Sequence, residues 1–203
     1  MSFIDRLRDR LFGFSDKAVP QGPMPGAPEA PAATDRIASD HDAPEIDFSQ
    51  IRRALFVCSG NMCRSPYGEA RFRRLTEGRD IRVMSAGTLG IIGRMAAPEM
   101  IATARERGLD LEAHRSSALT SMIVRASDAV FVMEEYHRRE VLRLCPESGP
   151  RIVMLGLWQT EPAPEIVDPM GRAPSVYREA ARRIDDALAR WCAQNLGIAT
   201  APQ

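Results

Sequence analysis

Short apolar runs alternate with longer amphipathic runs along this chain, from residue 51 to about residue 196. A short apolar run predicts a buried strand, and a longer run with apolar residues at helical spacing predicts a helix. Alternating strands and helices are typical of a parallel sheet, so we predict a three-layer α/β fold with a central parallel sheet of about four strands and helices on both faces. The predicted strands are 53–58, 81–85, 129–133 and 151–155, and the predicted helices are 65–77, 98–107, part of 119–127, 134–144 and 175–194.

The residues before this region follow a different pattern. Residues 19–50 contain many Pro and Ala residues and no sustained apolar period, which predicts a mobile linker. The pattern therefore divides the chain into an N-terminal segment at 1–18, this linker, one folded domain at 51–196 and a C-terminal tail at 197–203.

The N-terminal segment carries a short amphipathic pattern. Phe3, Ile4, Leu7 and Leu11 lie at helical spacing, which predicts a short amphipathic helix. One interpretation is an anchor that binds a membrane surface or a partner protein through residues 2–14. The other is a helix that packs on its own domain or a frayed tail, because helices this short are marginal alone.

The first predicted strand leads into a loop with a distinctive chemistry, Cys58-Ser-Gly-Asn-Met-Cys-Arg64-Ser65-Pro66. A thiol and a guanidinium stand at the two ends of this loop, between the first strand and the first helix. The backbone N–H groups of such a loop and the N-terminus of the following helix favour a bound anion. Arg64 can bind a tetrahedral oxyanion with two parallel hydrogen bonds. The same positive field favours the thiolate form of Cys58, and a thiolate that faces a bound phosphate is a nucleophile for phosphoryl transfer.

The string from Val57 to Pro66 resembles the signature loop of the low-molecular-weight protein-tyrosine-phosphatase family. The resemblance covers roughly residues 51–196. It implies phosphomonoester hydrolysis, above all of phosphotyrosine in a phosphorylated protein, through a phosphocysteine intermediate on Cys58. It implies neither a metal nor an organic cofactor. The residues that it assigns to the phosphate-binding loop are Ser59, Gly60, Asn61, Met62 and Cys63.

A second chemical element is Asp168, in Val167-Asp168-Pro169. Expelling an alkoxide or phenoxide from phosphorus needs a proton donor, and a carboxylic acid beside the pocket can supply the proton. An Asp-Pro pair alone usually marks a turn. The family, however, carries its general acid in an Asp-Pro pair just before the terminal helix, and this match implies that role for Asp168.

Supporting residues surround the loop in the same resemblance. Ser65 could donate its hydroxyl proton to the Cys58 thiolate, and Asn61 could hold a left-handed backbone conformation, which Asn tolerates. His114 matches a family histidine that supports this asparagine, and Ser85 matches a loop-supporting serine. A lone histidine is otherwise a surface or packed residue.

The remaining cysteines have several interpretations. Cys63 is either structural or the partner of Cys58 in a reversible disulfide that protects the nucleophile from overoxidation. Cys145 and Cys192 are predicted to be inert. Four cysteines at this spacing indicate neither a disulfide scaffold nor a zinc site.

The expected pocket wall departs from the phosphotyrosine-specific pattern. It consists of Leu89, Ile91 and Met170, where those family members often carry aromatic residues. Such a wall is aliphatic and pliable, but its depth and apolar lining still favour an aromatic phosphate ester. Protein-arginine phosphatases of the family share the Asp-Pro-x-Gly pattern, but they carry a small polar residue where this chain has Met62. An apolar residue there favours an aryl group.

Two further functions stay as alternatives. Arsenate reductases share the fold, but they need redox cysteines in a loop past the third strand, and residues 133–136 contain none. A non-catalytic phosphoprotein-binding module would lack Cys58, Arg64 or Asp168, and all three are present.

Composition narrows the class of partner. The chain carries 27 basic and 27 acidic residues, and a formal net charge of zero argues against general nucleic-acid binding. No window is long and apolar enough to span a membrane, and the N-terminal segment lacks the apolar core of a secretory signal. A nucleophilic thiol needs a reducing compartment, so we expect a cytoplasmic protein, with peripheral membrane association if the N-terminal segment is an anchor.

Overall fold

The structure is a computed structural model, and it describes residues 47–198. The predicted N-terminal helix, most of the linker and the end of the tail lie outside this range. Within it, all the predicted strands and helices are present, with ends that differ by a few residues. The strands are β1 (Arg53–Cys58), β2 (Arg82–Gly87), β3 (Ala129–Val132) and β4 (Ile152–Met154), and the α-helices are α1 (Arg64–Leu75), α2 (Pro98–Glu106), α3 (Ser121–Arg125), α4 (Glu135–Leu144) and α5 (Pro174–Leu196).

The four strands form one parallel sheet in the order β2-β1-β3-β4. Strand β1 therefore pairs with β2 on one side and with β3 on the other. The connection from β1 leads to one side of the sheet and the connection from β2 crosses to the other, so the strand order reverses beside β1. Parallel sheets bind ligands beyond the carboxyl ends of the strands at such a reversal, and the Cys58 loop begins there.

The side chains of β1 alternate between the two faces of the sheet. Ala54, Phe56 and Cys58 belong to a core that α1, α2 and α5 cover, whereas Leu55 and Val57 belong to a core that α3 and α4 cover. Both faces are buried, and this is why β1 is apolar almost throughout rather than alternating with polar residues. The predicted three-layer fold is confirmed.

Aromatic rings fill the larger of the two cores. Phe56 stacks on Phe131 with ring centroids 4.6 Å apart, and Trp191 packs edge-on against Phe131 at 4.8 Å. Because offset stacked and edge-on pairs are the favourable geometries of aromatic rings, this cluster fixes α5 against the sheet. Two of the helices that cover this core, α2 and α5, each begin with a proline, which is pre-organised for a first helical turn.

Residues just before residue 51 pack on the folded domain. Phe48–Gln50 form a 3₁₀ turn. The ring of Phe48 packs against that of Trp191, with centroids 5.5 Å apart. An isolated aromatic residue at the end of a polar, Pro-rich run gives no periodic signal in the sequence.

Three other details differ from the sequence patterns. Strand β2 continues to Gly87, and two further 3₁₀ segments, Pro146–Arg151 and Leu155–Trp158, flank a shorter β4. Neither segment is long enough to show a helical period.

Within residues 47–198, no helix has the length and apolar character needed to cross a bilayer.

Candidate active site

Cys58 is the last residue of β1, and its thiol is almost fully buried. The next five residues, 59–63, form the loop that leads into α1. The Cys58 Sγ atom lies 3.0 Å from Oγ of Ser65, in the first turn of that helix. The strand and the helix thus bring the expected nucleophile and its expected hydroxyl partner into hydrogen-bond contact.

Each loop carbonyl group that has a hydrogen-bond partner bonds to a group outside the loop. The carbonyl oxygens of Cys58 and Ser59 accept hydrogen bonds from the backbone of Thr88 and Leu89, and that of Met62 accepts one from Ala97. The carbonyl oxygens of Asn61 and Cys63 also accept bonds from outside the loop. In contrast, no backbone N–H of residues 59–63 has a protein acceptor within the described residues. A concave run of free N–H groups is a binding site for an anion.

Asn61 holds the turn of this loop. Its φ is 54°, and it is the only non-glycine residue with positive φ among residues 47–198. Asparagine tolerates this left-handed conformation better than most residues. Its side-chain oxygen accepts a bond from the backbone N–H of Ser117 at 2.8 Å, and its backbone oxygen accepts one from Nε2 of His114 at 2.8 Å. The loop conformation is therefore fixed from outside.

The side-chain amide of Asn61 also sets the direction of a chain of hydrogen bonds. It donates to Oγ of Ser85 and to Oγ of Ser65, each at 2.8 Å. The Ser85 hydroxyl donates in turn to the Glu69 carboxylate at 2.5 Å. Because the Ser65 oxygen accepts from Asn61, the Ser65 proton is free to point at Cys58 Sγ. This arrangement stabilises a thiolate at Cys58.

Arg64, at the other end of the loop, is 1% exposed and lies between two carboxylates. Its NH1 group donates to Glu134 at 2.5 Å and to the backbone oxygen of Ile166 at 2.8 Å, and its NH2 group lies 2.9 Å from Asp168. The Nε atom is buried and has no hydrogen-bond partner among the described residues. The guanidinium is thus oriented by protein groups and retains a donor for a ligand oxygen.

Opposing effects act on the charge of Arg64. Burial disfavours the charged form, but the negative charges of Asp168, Cys58 and Glu134 outweigh it and raise the pKa of Arg64. Burial also raises the pKa of Glu134, against the stabilising charge of Arg64. The pKa of the Cys63 thiol is raised well above its usual range by burial and then by the charges of Asp168 and Cys58. Cys63 is therefore a neutral thiol beside the expected nucleophile.

Asp168 reaches the loop from the segment before α5. Its carboxylate caps a local turn by accepting the backbone N–H of Met170 at 3.2 Å, while it also pairs with Arg64. The structure thus brings together two residues that are about one hundred positions apart. The Asp-Pro pair forms a turn, and the same turn presents its carboxylate to the phosphate loop.

The expected wall residues have different surroundings. Ile91 and Met62 flank Gly60, with Cδ1 and Cε lying 3.9 and 3.1 Å from the position that a Cβ on Gly60 would take. Leu89 is half-buried and is bonded to the loop through its backbone. Met170 is half-buried and packs against the larger core, so only part of its side chain is left for a pocket wall.

Four residues at the site carried no sequence signal strong enough to single them out. Glu134 binds Arg64, Glu69 ends the hydrogen-bond chain, and a buried His137 binds Ser59 through Nε2 at 3.0 Å. Gly87 is the fourth residue. It lets the loop approach β2 closely, because a Cβ there would lie 2.7 Å from the Ser59 carbonyl oxygen. Gly87 lies in the quoted Ser-Ala-Gly-Thr run, and Glu134 follows a predicted strand, but neither position reveals its partner.

Known proteins resemble this chain in sequence and in fold. The family described as low molecular weight phosphotyrosine protein phosphatase matches residues 53–198, almost the whole described range. The chain belongs to this family. The resemblance of the loop is thereby confirmed, and so is the prediction that the protein is an enzyme.

Similar proteins in this phosphatase family come from several bacteria. The low molecular weight protein-tyrosine-phosphatase Etp of Escherichia coli K12 is 31% identical over 147 residues, which cover 72% of this chain and 95% of Etp. The structure of Vibrio vulnificus Wzb in complex with benzylphosphonate is 31% identical, with a TM-score of 0.66, and covers 70% of this chain and 98% of that one. The YwlE arginine phosphatase from Geobacillus stearothermophilus is 28% identical, with a TM-score of 0.64, and covers 70% and 92%. The fold alone therefore does not choose between the two phosphatase branches.

Proposed function

We propose that this phosphatase hydrolyses phosphotyrosine in proteins through a phosphocysteine intermediate. The observation that carries the proposal is the orientation of the loop. The loop carbonyl groups that have hydrogen-bond partners are bonded outward, and its N–H groups have no protein acceptor among residues 47–198, between the Cys58 thiol and the Arg64 guanidinium. An anion with several oxygen atoms satisfies such a set of donors together, and a phosphoryl group bound there faces the sulfur of Cys58.

In the first step, the loop N–H groups and Arg64 hold the equatorial oxygens of the phosphoryl group. The phosphate takes the place of Asp168 at NH2 of Arg64, while Glu134 keeps its bond to NH1. The Cys58 thiolate attacks phosphorus in line, so an S–P bond forms and the P–O bond to the leaving group breaks. Asp168, in its protonated form, gives the proton to the departing oxygen.

In the second step, a water molecule attacks the phosphocysteine. Asp168, now a carboxylate, accepts a proton from this water, and the S–P bond breaks to release inorganic phosphate. The sulfur leaves as a thiolate. The Ser65 hydroxyl, whose oxygen is already engaged by Asn61, donates to it and makes it a better leaving group.

The surroundings of the loop support phosphotyrosine over phosphoarginine. Met62 and Ile91 present apolar carbon beside Gly60, and such a surface suits an aromatic ring better than a guanidinium, which needs polar partners. The relatives named as protein-tyrosine-phosphatases support the same choice. The similar YwlE arginine phosphatase structure keeps the alternative open to experiment.

The test uses two peptides of the same sequence, one with phosphotyrosine and one with phosphoarginine. We expect phosphate release from the phosphotyrosine peptide with the higher kcat/KM. The Cys58→Ser variant should release phosphate from neither, because a serine hydroxyl does not ionise at this site. A higher kcat/KM for the phosphoarginine peptide would assign this chain to the arginine branch.

The location of the enzyme is a separate proposal. We infer that residues 2–14 bind a membrane surface or a partner protein, and that the enzyme works in the cytoplasm. The support is the amphipathic spacing of Phe3, Ile4, Leu7 and Leu11 and the need of a nucleophilic thiol for a reducing compartment.

A further inference from the structure

A buried histidine contacts the phosphate loop without having a part in the reaction described above. His137 lies in the first turn of α4 and is fully buried. Its Nε2 atom lies 3.0 Å from Oγ of Ser59, the residue that follows the nucleophile, across a sequence separation of 78 positions. Burying a polar ring is unfavourable unless it forms hydrogen bonds, so the contact with Ser59 contributes to holding the ring in this position.

The protonation state of this ring follows from its surroundings. Burial, together with the charge of Arg64, lowers the pKa of His137 to about 3. The imidazole is therefore neutral at working pH and does not exchange protons with a substrate. Its Nδ1 atom has no hydrogen-bond partner within the described residues. The proton consequently belongs on Nε2, where it is used, since an unpaired N–H is the less tolerated buried group.

The hydrogen bond from His137 fixes the side chain of Ser59. Because Nε2–H of His137 donates to the Ser59 oxygen, the orientation of the Ser59 side chain is set from α4. The Ser59 backbone oxygen is bonded to Leu89 on the other side. The first residue of the loop is thus held from two sides, by α4 and by Leu89, and with it the peptide group that leads to Gly60.

The same short segment also holds the far end of the loop. Glu134, three residues before His137, binds NH1 of Arg64, and its second carboxylate oxygen lies 3.8 Å from Nε2 of His137. Both ends of the phosphate loop therefore rest on the beginning of α4. Donors fixed before the substrate arrives need no reorganisation when charge develops on the phosphoryl oxygens.

We propose that His137 is a positioning residue of the phosphate loop, which acts by donating a hydrogen bond to Ser59 and thereby aligns the loop N–H groups for the phosphoryl oxygens. This inference rests on the proposed function in one respect, that the anion held by the loop is the phosphate of the substrate. Its primary readout is the binding of inorganic phosphate, which needs no turnover.

The experiment measures phosphate binding by calorimetry, and kcat on p-nitrophenyl phosphate, for His137→Leu, His137→Gln and Val141→Ala. Leucine keeps much of the volume and removes the donor, so phosphate binding should weaken about three- to tenfold, with a fall in kcat. Glutamine places an amide near the Nε2 position and should bind phosphate more tightly than leucine does. Val141, one turn further along the same buried face, is the matched control. Its truncation should lower Tm but leave phosphate binding and kcat unchanged.

A second pair of variants keeps the test independent of folding at position 137. Threonine and valine have the same shape and differ by one hydroxyl, so Ser59→Val should bind phosphate about three- to tenfold more weakly than Ser59→Thr. In the His137→Leu background this difference should disappear, because the two groups act through one bond.

The inference is overturned if Ser59→Thr and Ser59→Val bind phosphate equally, or if His137→Leu lowers only Tm, as Val141→Ala does. A wild-type protein that binds phosphate but does not turn over aryl phosphates would remove the proposed function, while the binding series would still decide this inference. A wild-type protein that binds no phosphate would remove both.

Discussion

At the scale of single residues, the acceptor at the far end of the network determines how protons are arranged around Cys58. The Glu69 carboxylate can only accept, so Ser85 donates to it and must itself accept from Asn61. The second amide hydrogen of Asn61 then goes to Ser65, whose own proton is left for the sulfur. A residue that never touches the substrate thus orients the group that stabilises the leaving thiolate.

The role of Asp168 can be tested through the leaving group. Asp168→Asn removes a proton donor, so aryl phosphates with basic leaving groups should lose about 10²–10⁴-fold in kcat, and those with acidic leaving groups far less. The measurement is kcat across a series of aryl phosphates. Asp80→Asn, a surface change just before the start of β2 and away from the loop, is the control. Equal losses across the series would remove Asp168 from the acid role.

At the scale of elements, the loop is supported from both neighbours of β1. The residues that follow β2 bond to it through Thr88 and Leu89, and the N-terminal end of α4 bonds to it through its N-cap residue Glu134 and through His137. The loop therefore depends on two elements that are distant in sequence. A small displacement of either one should change the affinity for phosphate before it lowers the stability of the fold.

A substitution at Gly87, the last residue of β2, should change the loop in this way. Gly87→Ala places a Cβ 2.7 Å from the Ser59 oxygen and 3.0 Å from the Asn61 nitrogen, so the loop must shift. We expect kcat/KM on p-nitrophenyl phosphate to fall about ten- to hundredfold. Gly149→Ala, where the nearest contact is an ordinary 3.7 Å, is the matched control. Equal activity of the two variants would show that the close approach at Gly87 does not matter.

His137, in the first turn of α4, makes the free energy of unfolding depend on pH. In the unfolded chain an imidazole binds a proton below about pH 6.5, whereas burial and the charge of Arg64 lower the pKa of His137 in the folded protein to about 3. Between these values the unfolded state binds more protons. This group therefore makes the free energy of unfolding fall as pH falls, by at most about 1.4 kcal/mol per pH unit.

His137→Gln removes this dependence and leaves Glu134 and Arg64 in place. Urea unfolding at about pH 7 and about pH 5 should show a larger loss of unfolding free energy in the wild type than in the variant. Equal losses in the two proteins would mean that His137 is not held neutral in the fold.

At the scale of the whole molecule, the sheet order explains why the chemistry sits where it does. The loop follows the strand at which the order reverses, so it opens at the carboxyl edge of the sheet with helices on both sides. The alternation of apolar and amphipathic runs was enough to predict this layer architecture, and the spacing of Cys58, Arg64 and Ser65 was enough to predict the loop. Local sequence determines both features.

Contacts between distant segments could not be predicted in this way. Glu134 immediately precedes an ordinary amphipathic helix, and His137 lies in its first turn. Neither position indicates a contact with Arg64 or Ser59, which are 70 and 78 positions away. The packing of Phe48 on Trp191 likewise leaves no period in the sequence. These residues are defined by tertiary contacts and not by a local pattern.

The N-terminal residues can be separated from catalysis by truncation. A protein that starts at Asp47 keeps Phe48 and every loop contact described above, so its kcat/KM on p-nitrophenyl phosphate should equal that of the full chain. A protein that starts at Ile51 loses the contact with Trp191 and should have a lower Tm. The Asp47 form should also lose co-sedimentation with membranes or with a partner in a lysate. Loss of activity in the Asp47 form would mean that the N-terminal residues take part in the catalytic fold.

The central claim is that the phosphoryl group passes through the sulfur of Cys58. The most direct test is to mix the full-length protein with an aryl phosphate, quench the reaction rapidly and locate the phosphoryl group by mass spectrometry. We expect one phosphoryl group on the peptide that contains Cys58, and no sustained turnover by Cys58→Ser, which should still bind inorganic phosphate. A phosphoryl group on any other residue, or sustained turnover by Cys58→Ser, would contradict it.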